Sequence, residues 1–249
     1  MESSFVWALV ATLLGSGIPI VLAALLGFAS SRTLEWLIPR LVSFAIGSLL
    51  GAAFVGLIPQ ALEGMPIDRG LSVVLLGILL FFLMEKMIIW RHCHKQTCVV
   101  HDVTPGLLLI GDAVHNFLDG FALSAAFITS VPLGITTAFG VFAHELPQEI
   151  GDYAILLNGG LSKRRALFLN ALSGATAIPG VVIGFYFASC LTGTAPYIMA
   201  LAAASFIYIA IADLIPGLQK RLGLRESVTQ LVLMLAGLGT VYLFHGIVH

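Results

Sequence analysis

His115-Asn116-Phe117-Leu118-Asp119-Gly120 and His144-Glu145-Leu146-Pro147-Gln148-Glu149 set metal-ligand residues in the middle of two otherwise apolar segments. Each segment is long enough to cross a bilayer. A charged side chain at that depth costs at least about 2.5–3.5 kcal/mol on insertion scales. Five such groups, His115, Asp119, His144, Glu145 and Glu149, fall in two segments joined by a short turn. A divalent cation crossing the membrane is the simplest thing that offsets their cost.

Composition supports a membrane setting throughout. The chain is 59% hydrophobic and 10% charged, with a mean hydropathy of +1.02, whereas a soluble domain has about a quarter of its residues charged. Runs of roughly 20 apolar residues read as transmembrane helices. They predict eight spans, at about 5–28, 41–62, 70–90, 105–129, 132–157, 164–190, 195–217 and 227–248. The connections are short, so the expectation is an all-α membrane protein with one transmembrane domain over residues 1–249. The start, Met1-Glu2-Ser3-Ser4, lacks the basic region of a cleaved signal, so the first span is expected to be retained.

Basic residues give the orientation. Arg32, Arg40, Arg91, Lys95, Lys163, Arg164, Arg165, Lys220, Arg221 and Arg225 lie in or beside the odd-numbered loops. The alternate loops hold only Arg69. The positive-inside rule then places both termini outside the cytoplasm, in a multi-pass protein of the cell membrane. Cys93, Cys98 and Cys190 are too few and too scattered for a disulfide framework. The third loop also holds His92, His94 and His101, read as a solvated connector with a secondary metal-collecting reading.

Helical periodicity places His115 and Asp119 on one face of the fourth span. His144 and Gln148 share a face of the fifth, as do Glu145 and Glu149. Residue 117 is mid-span in one helix and residues 144–145 are mid-span in the other. Antiparallel helices joined at Ser130-Val131-Pro132 should therefore turn these sets toward each other. Pro147 lacks an N–H and crowds the carbonyl of Ala143, which predicts a kink beside the ligands.

Imidazole with carboxylate suits zinc, iron and similar first-row divalent ions, and the absence of a nearby thiolate argues against copper(I). Asp112 and Asp152 lie toward the cytoplasmic ends of the same two spans and are read as the release path. Asp213, in the seventh span, is expected to pair with Lys86 or with backbone near Pro216. Leu57-Ile58-Pro59-Gln60 and Leu214-Ile215-Pro216-Gly217 end the second and seventh spans, which run in opposite directions. This echo points to an inverted repeat, a recurring transporter design with its site near the midplane.

The paired signatures of the fourth and fifth spans, the latter continuing through Ile150-Gly151-Asp152, closely resemble those of the ZIP family (Zrt/Irt-like proteins). Phe81-Phe82-Leu83-Met84-Glu85-Lys86 and the segment from Phe206 to Pro216 are supporting matches, and the likeness covers the whole chain. It implies a ZIP-like bundle of eight helices, import of a divalent metal, extracellular termini and a homodimer. It also implies one metal site from His115, Asp119, His144 and Gln148, and an adjoining one from Asn116, Glu145 and Gln148. Two departures stand out. Gln148 occupies a position where relatives often carry His or Glu, and Gly56 and Gln60 stand where many carry His and Glu.

The expected function is transport of divalent metal, foremost Zn²⁺ with Fe²⁺, Mn²⁺ and Cd²⁺ as further candidates, into the cytoplasm. The expected partners are the ion and the bilayer, with no nucleic acid and no cofactor beyond the cargo. Two rivals remain at this point. An intramembrane metalloprotease is suggested by His144-Glu145-x-x-Gln148, one residue from HExxH, but it lacks the second His. A proton-coupled carrier of a non-metal substrate could also use intramembrane acids, though it does not require two His at matched depth.

Overall fold

Among the described residues, long apolar stretches fold as eight helical rods, with Ser30 and Ser130 capping two of them. The computed structural model describes residues 2–26, 29–92, 105–190, 193–220 and 223–248. The rods are α1 (Glu2–Leu26), α2 (31–63), α3 (Ile67–His92), α4 (Pro105–Thr129), α5 (Val131–Asn158), α6 (163–190), α7 (195–219) and α8 (Leu224–Val248). No strand occurs among the described residues. Cys93, His94, Lys95, Cys98, His101 and Arg221 lie outside them.

Six rods are long and apolar enough to cross a membrane: Ser3–Leu26, Arg32–Glu63, Ile67–Met87, Lys163–Phe187, Ala195–Gln219 and Leu224–Leu243. The other two are α4 and α5, whose central His, Asp and Glu residues lower their apolar content. These two form the middle of the bundle. α4 touches α1, α5, α6 and α7, while α5 touches α1, α2, α4 and α6. α3 and α8 are peripheral and present exposed leucines such as Leu75, Leu76, Leu231 and Leu235 outward. Such a face suits lipid, because hydrocarbon solvates it without penalty.

Local sequence explains the tight α4–α5 connection. Ser130, in extended backbone, accepts a hydrogen bond from the Leu133 N–H at 3.2 Å and caps α5, with Pro132 in its first turn. A single residue therefore reverses the chain between the two helices that carry the central His and acidic residues. Pro147 sits inside α5, which continues as helix to Asn158.

The Leu-Ile-Pro echo has a structural counterpart. α2 contains a π-helical segment over Ala52–Leu57, and α7 contains one over Ile209–Leu214. In each, the N–H that follows reaches back five residues: Ile58 to the Ala53 carbonyl, and Ile215 to the Ala210 carbonyl. Pro59 and Pro216 come directly afterwards. A proline ring crowds the carbonyl four residues earlier and supplies no N–H to it. Widening the preceding turn relieves that conflict without breaking the rod.

Candidate metal centre

Spacing of four residues along α4 brings His115 and Asp119 to one side, and the capped turn at Ser130 sets α5 against it. His115, Asp119, His144 and Glu145 each offer a ligand atom, and all four lie within 4.8 Å of one another. His115 Nε2 is 3.0 Å from His144 Nε2. His144 Nε2 is 2.9 Å from Asp119 Oδ2 and 3.6 Å from Glu145 Oε1. His115 Nε2 is 3.7 Å from Asp119 Oδ2 and 3.5 Å from Glu145 Oε1. A tetrahedral zinc ion with bonds of about 2.0–2.1 Å needs ligand–ligand edges of about 3.3–3.4 Å. The observed edges bracket that value, so two imidazoles and two carboxylates converge at the scale of one small ion.

Burial sharpens the chemistry. The side chains of His144 and Glu145 are 0% exposed, Asp119 2% and His115 14%. Apart from the imidazole contacts, neither carboxylate of the set receives a hydrogen bond. Two unmatched buried carboxylates are costly in any low-dielectric interior, and a divalent cation is what they would compensate. His144 is also oriented from behind. Its Nδ1 lies 2.9 Å from the Gly140 carbonyl, which fixes Nδ1 as the protonated nitrogen and leaves the Nε2 lone pair to face the cluster. Phe206 of α7 meets the same ring edge-on, with centroids 5.9 Å apart.

The remaining expected site residues form two further groups. Gln148 Nε2 donates to Asp112 Oδ1 at 2.9 Å, and Asn116 Nδ2 donates to the same oxygen at 3.0 Å. The Gln148 amide nitrogen is thus engaged by Asp112, while Glu145 stands with His115, Asp119 and His144 in the converging group. Glu149 is fully buried but lies against α6, where the Asn170 amide donates to it. Asp112 and Asp152 are both buried. The expected pairing of Asp213 with Lys86 is not found among the described residues. Lys86 instead places its ammonium 5.8 Å from the Phe82 ring centroid, because its long stem carries the charge along α3.

Sequence reading missed Asn170, Gly140 and Phe206. Asn170 carried a usable signal, as a polar residue in an apolar run, Phe168-Leu169-Asn170-Ala171-Leu172. The other two act through a main-chain carbonyl and a ring face, neither of which residue type discloses.

Comparison with known proteins agrees with the geometry. The family model described as "ZIP Zinc transporter" matches residues 3–104 and 91–245. "Zinc transporter ZIP4" of Mus musculus is 42% identical over 135 residues, 54% of this chain and 20% of that protein. "Zinc transporter foi" of Drosophila melanogaster is 39% identical over 140 residues, 55% of this chain and 19% of that protein. "Zinc transporter ZIP13" of Pongo abelii is 32% identical over 228 residues, 84% of this chain and 67% of that protein. The matched part is about a fifth of the mouse and fly proteins and two thirds of the ape protein.

Proposed function

Because the chain belongs to the ZIP zinc transporter family, we propose that it carries Zn²⁺ across the cell membrane into the cytoplasm. The observation that supports this reading most strongly is the close, largely buried convergence of His115, Asp119, His144 and Glu145 between α4 and α5. Two nitrogens and two oxygens bind zinc well without the closed thiolate cage that would retain it. Release runs past Asn116, Gln148 and Asp112 and on toward Asp152, where oxygen ligands hold a first-row ion more loosely than imidazole. The basic odd-numbered loops support a reading in which that end faces the cytoplasm and both termini lie outside it.

Access alternates between the two sides, with the π-helical rods α2 and α7 packed together and bordering the helices that hold the ion. The working unit is a homodimer, as the family resemblance implies. Fe²⁺, Mn²⁺ and Cd²⁺ are secondary cargo. A hydrolytic role fits poorly, since Glu145 would have to activate water while its Oε1 stands 3.5–3.6 Å from both imidazoles, among the ligands themselves.

Uptake by vesicles containing the purified chain, run in parallel for Zn²⁺, Fe²⁺, Mn²⁺ and Cd²⁺, tests the reading. Zinc uptake should be saturable and preferred. Full zinc uptake by the double variant His115→Ala/His144→Ala would sink the assigned site.

A further inference from the structure

We propose that Glu149 and Asn170, together with α1 at Ser16, form a second cation position that takes a hard monovalent ion of the sodium class. It uses none of the four converging ligands, so it stands or falls separately from the zinc reading. Glu149 and Asn170 are both 0% exposed. The Asn170 amide nitrogen donates to the Glu149 main-chain carbonyl at 3.2 Å and to its carboxylate Oε2. That contact spans the α5–α6 seam and leaves two oxygens, Glu149 Oε1 and Asn170 Oδ1, buried without a hydrogen-bond partner. No Lys, Arg or His among the described residues makes an ion pair with Glu149. A buried carboxylate with one neutral donor and no cation is an unfinished electrostatic arrangement.

The surroundings offer oxygen. A Cβ built on Gly174 would stand 3.1 Å from Ile20 Cδ1, 3.2 Å from Glu149 Oε1 and 3.7 Å from the Ser16 Cβ, so Oε1 borders α1 at Ser16 and Ile20 across a residue with no side chain. At this level α6 is interrupted and α1, continuous from Glu2 to Leu26, carries a proline. α6 breaks between Lys163–Gly174 and Ala177–Cys190, where the Thr176 and Ile178 N–H groups reach carbonyls three residues back. In α1, Pro19 has no N–H to offer the Gly15 carbonyl one turn earlier. Interrupted helices that expose carbonyls beside a buried polar side chain are how membrane carriers hold Na⁺.

Donor type and charge select the ion. Carboxylate, amide, hydroxyl and carbonyl oxygens are hard ligands, and the proposed set includes no imidazole or thiolate. Asp119 and Glu145 together balance a divalent ion, whereas Glu149 alone balances one positive charge. Matching charge to ligand matters most where water does not screen the remainder.

Binding of radioactive sodium to the purified full chain, with radioactive zinc binding on the same samples, tests the proposal. Wild type should bind sodium saturably, approaching one ion per chain. Glu149→Gln should weaken sodium binding by at least about tenfold, because it removes the only charged ligand, while zinc binding persists and reports an intact fold. His115→Ala/His144→Ala should do the reverse. No saturable sodium binding by wild type, or wild-type sodium affinity in Glu149→Gln, overturns the second position. If Glu149→Gln loses both ions through misfolding, Ser16→Ala decides: weaker sodium with unchanged zinc supports the position, and unchanged sodium overturns it. Wild type that binds sodium but no zinc would refute the zinc reading alone.

Discussion

Gln148 Nε2 donates to Asp112 Oδ1 at 2.9 Å, tying α5 to α4 three residues along the chain from His115. Asn116 donates to the same oxygen, so Asp112 depends on two side-chain amides and holds its Oδ2 buried without a partner. The arrangement borders the cluster on its Asp112 side with neutral donors on a carboxylate, which a cation passing that way would replace.

Gln148→Leu leaves Asp112 with one amide. The expected cost is about 1–3 kcal/mol of stability, the usual penalty for unsatisfying a buried acceptor. Thermal unfolding in detergent reads it, as a lowered midpoint. Zinc affinity in the resting protein should stay within about a hundredfold of wild type, since losing an outer partner typically costs about 10–100-fold. A hundredfold or larger loss would mean that Gln148 ligates the ion directly.

His115→Ala and His144→Ala should each lower zinc affinity by more than about a hundredfold, beyond what outer-shell partners contribute. Zinc-chelator competition on the purified variants measures it. Removing either group should leave membrane insertion intact, because a costly polar residue is replaced by a tolerated one. The two should not be equivalent in rate. Of the four converging side chains His115 is the most exposed, at 14%, so its loss should also speed zinc dissociation through the open side.

How far the sequence discloses this site follows from particular residues. The spacing of His115 and Asp119 identifies their common face, and Ser130 with Pro132 announces a tight reversal. Matched depth then makes an encounter of α4 and α5 the natural expectation. What spacing cannot settle is which α5 residues take part, because His144/Gln148 and Glu145/Glu149 have equal claims by periodicity, and the converging group takes His144 and Glu145, one from each pair. The answer depends on the rotation of α5 about its axis. That rotation is set by distant contacts: Gly140 close against Ala52 of α2, and Glu149 against Asn170 of α6. The π-helical segments of α2 and α7 are hidden for a similar reason. Pro59 and Pro216 predict a conflict, but whether the rod kinks, breaks or widens depends on its neighbours.

Gly120 and Gly180 set the closeness of α4 and α6. A Cβ on Gly120 would stand 2.0 Å from the Ala177 carbonyl oxygen, and one on Gly180 would stand 2.1 Å from the Phe117 carbonyl oxygen. Both obstacles are backbone, so no side-chain shift relieves them. Even Gly120→Ala must therefore separate the helices and move His115 and Asp119 with α4. The expected outcome is destabilisation by about 1–3 kcal/mol or more, together with weaker zinc binding. Monodisperse, wild-type-stable Gly120→Ala and Gly180→Ala proteins would show that the helices do not cross this closely.

Metal preference is the sharpest test of what the imidazoles do. His144→Asp keeps a ligand at the position but changes nitrogen to oxygen, turning a two-nitrogen, two-oxygen set into one nitrogen with three oxygens. Mn²⁺ accepts oxygen readily, whereas Zn²⁺ loses more on giving up imidazole. The added carboxylate also raises the negative charge, which draws both ions alike and so drops out of their ratio. The Zn²⁺-over-Mn²⁺ affinity ratio is therefore expected to shrink by at least about tenfold, a 1.4 kcal/mol change in relative binding. Calorimetric titration of wild type and variant with each ion gives the ratio directly. An unchanged ratio would mean that His144, despite its Nε2 lying 2.9 Å from Asp119 and 3.0 Å from His115, does not touch the ion.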